Sequence, residues 1–217
     1  MCIELIKVLL RDDIDDFLKT IPVNVVAATK YVQSEDMREL YKHGVNNFGE
    51  NRVEPFLEKY DELKDLDVRW HFIGHLQRNK CKLIINKIYC LHSLDSLELA
   101  KMIDKERTTP LDVFIEVSIN REENKKGVDF HNIDSFIEEL LQYKKINIKG
   151  FMMMAIKADT HEELLRQFKA LVYLKERTEK KFNISMPYLS MGMSNDYKEA
   201  IEAGSTHVRL GRILWKM

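Results

Sequence analysis

Cysteine is scarce in this chain, and that scarcity is the first restriction on what the protein can be. Cys2, Cys81 and Cys90 are the only three among 217 residues, and no CxxC spacing occurs. An odd, sparse set fits a reducing compartment better than a disulfide framework, so a cytoplasmic location is expected. Proline and glycine are also few, four and eight respectively, with no Pro/Gly/Ser tract to serve as an interdomain linker. A single domain over residues 1–217 is the expectation. Charge of one sign is lacking too: 34 basic against 35 acidic side chains leave a net charge of -1. That balance gives no electrostatic footprint for nucleic acid or an anionic membrane surface. No apolar run approaches a membrane span. The N-terminal MCIELIKVLLRDDIDDF is interrupted by Glu4 and Lys7, unlike a secretory leader.

What remains is an ordinary soluble composition, 45% hydrophobic and 32% charged, laid out as short apolar runs alternating with amphipathic stretches. The pattern predicts strands at residues 23–29, 45–49, 68–73, 88–91, 113–117, 146–153, 186–190 and 207–210. Helices are expected at 34–43, with Ser34 as N-cap, and at 53–63, 79–85, 97–106, 133–141, 160–180 and 195–203. A further helical stripe over residues 1–20 precedes the first strand and is expected to cap one end of the fold. Alternation of this kind implies a parallel sheet with right-handed crossovers. Eight units close into a (β/α)8 TIM barrel; an open doubly wound sheet is the runner-up, and the count favours the barrel.

In such a barrel every strand's carboxyl end faces one mouth. The residues predicted there are Lys30, Asn47, His71, Ser93, Asn120, Met154, Ser190 to Ser194 and Arg209 to Gly211. The set is polar, glycine-containing and poor in acid, which suits a small anion. Gly192-Met193-Ser194 stands just before a predicted helix, and Arg209-Leu210-Gly211-Arg212 leaves the eighth strand. Loops after strands seven and eight are where barrels often hold phosphate. The apolar run VNVVAATK ends in one lysine. An isolated lysine after a strand is mostly a solvent-exposed one, but partial desolvation at a barrel mouth would make Lys30 a Schiff-base nucleophile. His71 and His75 are four apart on strand and loop, with Gly74 where a metalloprotease motif needs glutamate, so no metal is expected. Cys81 and Cys90 read as small hydrophobes, Met152 to Met154 as core, and the mixed run Arg121 to Lys126 as a solvated loop.

Six segments, AATK, NNFGENR, WHFIGHLQRNK, ENKKG, LSMGMSND and AGSTHVRLGR, stand in order between about residues 23 and 212. Together they resemble the YggS/PROSC family of pyridoxal 5′-phosphate (PLP) homeostasis proteins. The resemblance implies a barrel like the N-terminal domain of bacterial alanine racemase, with PLP covalently bound to Lys30 as an internal aldimine. It implies that Arg209 faces the pyridine nitrogen, and that Ser194 with the backbone of Gly211 and Arg212 holds the phosphate. Ser190 is implied as a looser part of that cradle, Asn47 and His71 as lining of the mouth, and Lys125 as a loop lysine in transient contact with PLP. A fixed cation at the ring nitrogen disfavours a protonated pyridine and weakens the ring as an electron sink. Racemisation also needs a second base, in the racemases a tyrosine from an additional C-terminal domain, which has no counterpart before Met217. The implied function is therefore non-catalytic: a protein that holds PLP and maintains vitamin B6 homeostasis. It is expected to be a monomer, with apo PLP-dependent enzymes as recipients and neither nucleic acid nor membrane as partner. Two alternatives stay open. One is a racemase-like PLP enzyme acting on amino acids; the other is a barrel enzyme whose Lys30 forms a Schiff base with a phosphorylated substrate.

Overall fold

The structure, a computed structural model, describes residues 9–119 and 127–216. Eight strands form the barrel: β1 (Asn24–Ala28), β2 (Asn47–Glu50), β3 (Arg69–Phe72), β4 (Cys90–Leu94), β5 (Leu111–Ser118), β6 (Ile146–Met152), β7 (Tyr188–Met193) and β8 (His207–Leu210). All pair in parallel with their chain neighbours, and β8 returns to β1, with Val208 opposite Val25 and Leu210 opposite Ala27. The ring is closed, and the open doubly wound sheet is excluded.

Helix α1 (Ile14–Lys19) precedes β1; α2 (Ser34–Lys42), α3 (Val53–Glu62), α4 (Arg78–Ile84), α5 (Leu97–Glu106), α6 (Ile133–Leu140), α7 (His161–Phe182) and α8 (Tyr197–Ala203) follow successive strands. Side chains alternate across the sheet with period two. Phe48 and Trp70 point outward, and Trp70 meets Phe56 of α3 edge to face at a 5.3 Å centroid separation. Cys90, Phe114 and Met152 point inward and form a small cluster of their own inside the barrel. Strands β6 and β7 approach so closely at Gly150 that a Cβ there would lie 1.7 Å from the Tyr188 carbonyl oxygen. Cys81 and Cys90 are both buried, and burial pushes the Cys81 thiol up to about 11 and the Cys90 thiol well above its ordinary value. Among the described residues no helix is long and apolar enough to cross a membrane.

The N-terminal expectation needs correcting. Residues 1–8, including Cys2, lie outside the described residues. Leu9–Leu10 is not helical but a short strand antiparallel to Trp215–Lys216, with Leu10 opposite the buried Trp215. The helix is confined to Ile14–Lys19, with Asp15 and Asp16 in its first turn. Acidic residues favour a helix N-terminus through the dipole. The Asp15-Asp16 pair thus marks a start, where apolar periodicity alone runs straight through. Ser34 is likewise not the N-cap of α2. Gln33 holds that place, its backbone N–H donating to Asp36, and Ser34 donates its hydroxyl to Glu62 of α3.

Candidate functional site

Strand β1 ends at Ala28, and Lys30 stands two residues beyond it on the rim of a cavity of about 1000 Å³. The same cavity is lined by Ser194, Arg209, Gly211 and Arg212. Lys30, Ala28, Met193 and Arg209 are shared with an adjoining compartment of about 540 Å³ that extends under the loops after β2 and β3. The Lys30 side chain is exposed, its ammonium 4.8 Å from the centre of the Tyr31 ring. The expected desolvation is not found, because the lysine lies past the strand end at an open mouth. Met154, expected at the mouth and also in the core with Met152 and Met153, is 54% exposed just beyond β6 and lines the adjoining compartment.

The loops after β7 and β8 are tied together beneath this cavity. Ser194 Oγ accepts hydrogen bonds from the Gly211 N–H (3.3 Å) and the Ile213 N–H (3.5 Å). Gly192 takes φ +95°, and a Cβ there would sit 2.5 Å from the Ala200 Cβ, so β7 can turn into α8 this tightly only with glycine. The helix starts at Tyr197 rather than Asn195. Asp196, missed in the sequence, caps the turn by accepting from the Met193 N–H at 2.5 Å, and burial raises its pKa.

Below the mouth a chain of hydrogen bonds crosses the barrel interior. Arg209, 5% exposed on β8, donates to Ser190 O (2.8 Å), Ser190 Oγ (2.7 Å) and Met153 O (2.9 Å). Ser190 Oγ lies 2.8 Å from His92 Nδ1, His92 Nε2 is 2.9 Å from His71 Nδ1, and His71 Nε2 is 3.1 Å from Asn47 Oδ1. A guanidinium can only donate, so the Ser190 hydroxyl donates onward to His92. Each imidazole then carries its proton on Nε2, and the chain ends at the Asn47 carbonyl oxygen. Asn47 and His71 therefore do not line the mouth. They lie in the barrel interior with the fully buried Ser190, joined to Arg209 through His92 and Ser190. Strand β4 continues to Leu94 and carries His92 into this chain. The apolar run that predicts this strand stops at Leu91, so His92 is not among the residues expected at the site.

Burial sets the charges along the chain. It lowers His71 to about 3 and His92 well below its ordinary value, with neighbouring positive charge adding for both, and it lowers His207, outside this hydrogen-bonded chain with its ring 6.3 Å from that of His92, to about 4. Arg209 is lowered by burial to about 10, against the opposing pull of Glu116 and Asp196, and stays a cation at neutral pH. Donor atoms of His71, Cys90 and His92 fall within 4.8 Å of one another. All four imidazole nitrogens are already hydrogen-bonded, which accounts for that proximity without a metal. His75 pairs with Asp95 (2.9 Å) and not with His71. Asn120 and Lys125 lie outside the described residues.

A stability consequence follows. His71 is depressed in the folded state, so its contribution is complete above the unfolded value of about 6.5 and is lost as pH falls from there towards about 3. Thermal and urea unfolding should show roughly 3 kcal/mol less stability from His71 at pH 4 than at pH 7, at about 1.4 kcal/mol per pH unit. The loss should shrink in a His71→Asn variant. An unchanged acid limb in that variant would place the lability elsewhere.

This geometry can be set beside known proteins. The family model for the alanine racemase N-terminal domain matches residues 24–217. A pyridoxal phosphate homeostasis protein of Aquifex aeolicus is 40% identical over 194 residues, 88% of this chain and 85% of the relative. One of Schizosaccharomyces pombe is 34% identical over 94% of this chain and 87% of its own. The structure of PipY from Synechococcus elongatus, solved with PLP bound, superposes with a TM-score of 0.87 at 29% identity, covering 94% of this chain and all of PipY. A closed eight-stranded barrel with these relatives over nearly its whole described length leaves one assignment: the chain belongs to the alanine racemase N-terminal domain family, among its pyridoxal phosphate homeostasis proteins.

Proposed function

We propose that this protein binds PLP at the mouth, held covalently by Lys30, and keeps the cofactor in reserve for other proteins without turning over a substrate. The observation that carries the reading is the convergence of Lys30, Ser194, Arg209 and Gly211 on one cavity. The residues fit the group. Lys30 is exposed and free to reach a carbonyl carbon, and the glycine turn brings Ser194 and the Gly211 backbone, tied to each other by the Gly211 N–H on Ser194 Oγ, to one wall where a phosphate would sit. Arg209 spends three of its five N–H groups on Ser190 and Met153, leaving two for a ligand in the cavity it lines. Arg212 adds charge at the same wall, and the Ser190, His92, His71 and Asn47 chain holds the guanidinium from below.

When bound, PLP supplies an electron-accepting ring and an aldehyde that captures amines. The chain's own groups limit that chemistry: a buried arginine, still a cation at neutral pH although burial lowers it to about 10, opposes a proton on the ring nitrogen. Storage and hand-over fit this arrangement better than racemisation. In this reading the protein works in the cytoplasm as a monomer, with apo PLP-dependent enzymes as recipients.

Purified apoprotein mixed with PLP should turn yellow, and borohydride should fix the cofactor on Lys30, read by peptide mass. Holoprotein should reactivate an added apo-enzyme and should not turn over L-alanine faster than free PLP does. Failure to take up PLP sinks the proposal. Sustained turnover abolished by Lys30→Ala would replace it with the racemase-like alternative.

A further inference from the structure

The turn that carries Lys30 is held from behind by a buried charged cluster. Thr29, Lys30, Tyr31 and Val32 form a β-turn closed by the Val32 N–H on the Thr29 carbonyl at 3.2 Å, with Lys30 as its second residue. That carbonyl accepts a second, shorter bond of 2.7 Å from the Lys59 ammonium of α3. Lys59 also donates to Glu50 Oε1 at 2.6 Å, and the Thr29 hydroxyl donates to the same carboxylate oxygen at 2.6 Å. The Thr29 N–H is taken by the Gly49 carbonyl at 3.0 Å. Every polar group of the residue before Lys30 is therefore fixed to β2 or α3. Glu50 and Lys59 are 0% and 6% exposed. By strand parity Glu50 shares the outward face of β2 with Phe48. The cluster thus lies between sheet and helix, outside the cavity.

Stability alone is a poor reason for such a pair. Two buried charges lose hydration that their attraction regains only when every lone pair is used, and apolar replacements are often neutral or better. Here Glu50 Oε2 is buried with no hydrogen-bond partner among the described residues, so the pair is not optimised as an ion pair. What it does accomplish is local: it fixes the peptide from which Lys30 projects.

We propose that Lys59, through Glu50 and Thr29, is a positioning residue that sets the reach of Lys30 into the cavity; the inference rests on the reading of Lys30 as the residue that holds PLP. The test is a Glu50→Gln/Lys59→Met double variant, which removes both charges together, with Thr29→Val as a second variant that leaves the ion pair in place. PLP affinity and the rate of borohydride-trappable capture on Lys30 are measured, together with competition by inorganic phosphate and thermal unfolding. The double variant should unfold cooperatively, and its Kd for PLP should rise about tenfold or more, as misplacing a reacting group does. Its inhibition constant for inorganic phosphate should stay at the wild-type value, because the cradle at Ser194 and Gly211 is untouched. Thr29→Val should move in the same direction by a smaller factor. Wild-type PLP affinity and capture rate in a folded double variant, or in Thr29→Val if the double variant does not fold, would overturn the positioning role. Weakened phosphate competition in parallel would assign the cluster a general structural role instead. Should the wild-type protein itself fail to trap PLP on Lys30, the reading of Lys30 falls, and that control separates the two failures.

Discussion

Lys30→Ala protein should emerge colourless from a preparation in which the wild type is yellow, and borohydride should fix no cofactor on it. Its Kd for PLP should rise by at least about 100-fold, which corresponds to about 2.7 kcal/mol of binding energy. The Ser194 and Gly211 cradle and Arg209 remain in the variant, so residual binding is that of a phosphate and a ring without a covalent link. The fold should be indifferent to the change. Lys30 is exposed and its described contact is with the Tyr31 ring, and surface substitutions of this kind stay within about 0.5 kcal/mol. Unfolding temperature and PLP retention are thus uncoupled at this position, which gives the experiment its force. A variant that unfolds early and loses PLP would say only that the barrel is damaged. One that melts like the wild type and still retains PLP with wild-type affinity would remove Lys30 from the site and return the chemistry to Arg209 and its neighbours.

The barrel was legible in the sequence because its strands, covered on both faces, read as apolar runs. The run at 207–210 and the helix at 97–106 coincide with β8 and α5 to the residue. Legibility fails where polar residues point into the barrel. The apolar run of the fourth strand stops at Leu91, with polar His92 and Ser93 read only as its end at the mouth, yet the strand continues to Leu94 and both are buried, His92 bonded to Ser190 and His71, and Ser93 to the Gly74 carbonyl. A pattern of apolar and polar letters cannot distinguish a solvated histidine from one satisfied by a neighbouring strand. For the same reason Asn47 and His71 were placed at the mouth although their hydrogen bonds are made inside the barrel. The clamp behind Lys30 did leave a trace. Lys59 stands three residues after Phe56 and six after Val53, on the stripe of α3 that is buried. A lysine on an apolar helical stripe implies a buried partner, but nothing in the sequence names Glu50 as that partner.

Arg209→Met should cost far more in stability than Lys30→Ala, and the two readouts should part in the opposite sense. Removing the guanidinium strands the Met153 carbonyl, leaves the Ser190 carbonyl with the Met153 N–H (3.2 Å), and takes from the Ser190 hydroxyl its donor, all inside the barrel. It also withdraws the cation that faces Glu116 and Asp196. Losing one partner of a buried charged network typically costs about 3–5 kcal/mol. For a chain of this size that is a fall in Tm of roughly 6–20 °C, at about 2–4 °C per kcal/mol. Arg209→Lys keeps the charge but gives up the planar fork that reaches both carbonyls, so it should recover only part of the loss. Below its Tm, Arg209→Met should still be fixed to PLP by borohydride, because Lys30 and the phosphate cradle do not depend on the guanidinium. Holoprotein in D2O should then exchange the α-proton of L-alanine faster than the wild type does, since the cation opposing a ring-nitrogen proton is gone. If Arg209→Met changes only Tm and leaves that exchange rate untouched, the guanidinium is a structural tie between β6, β7 and β8. The restraint on turnover would then have to come from another residue of the cavity.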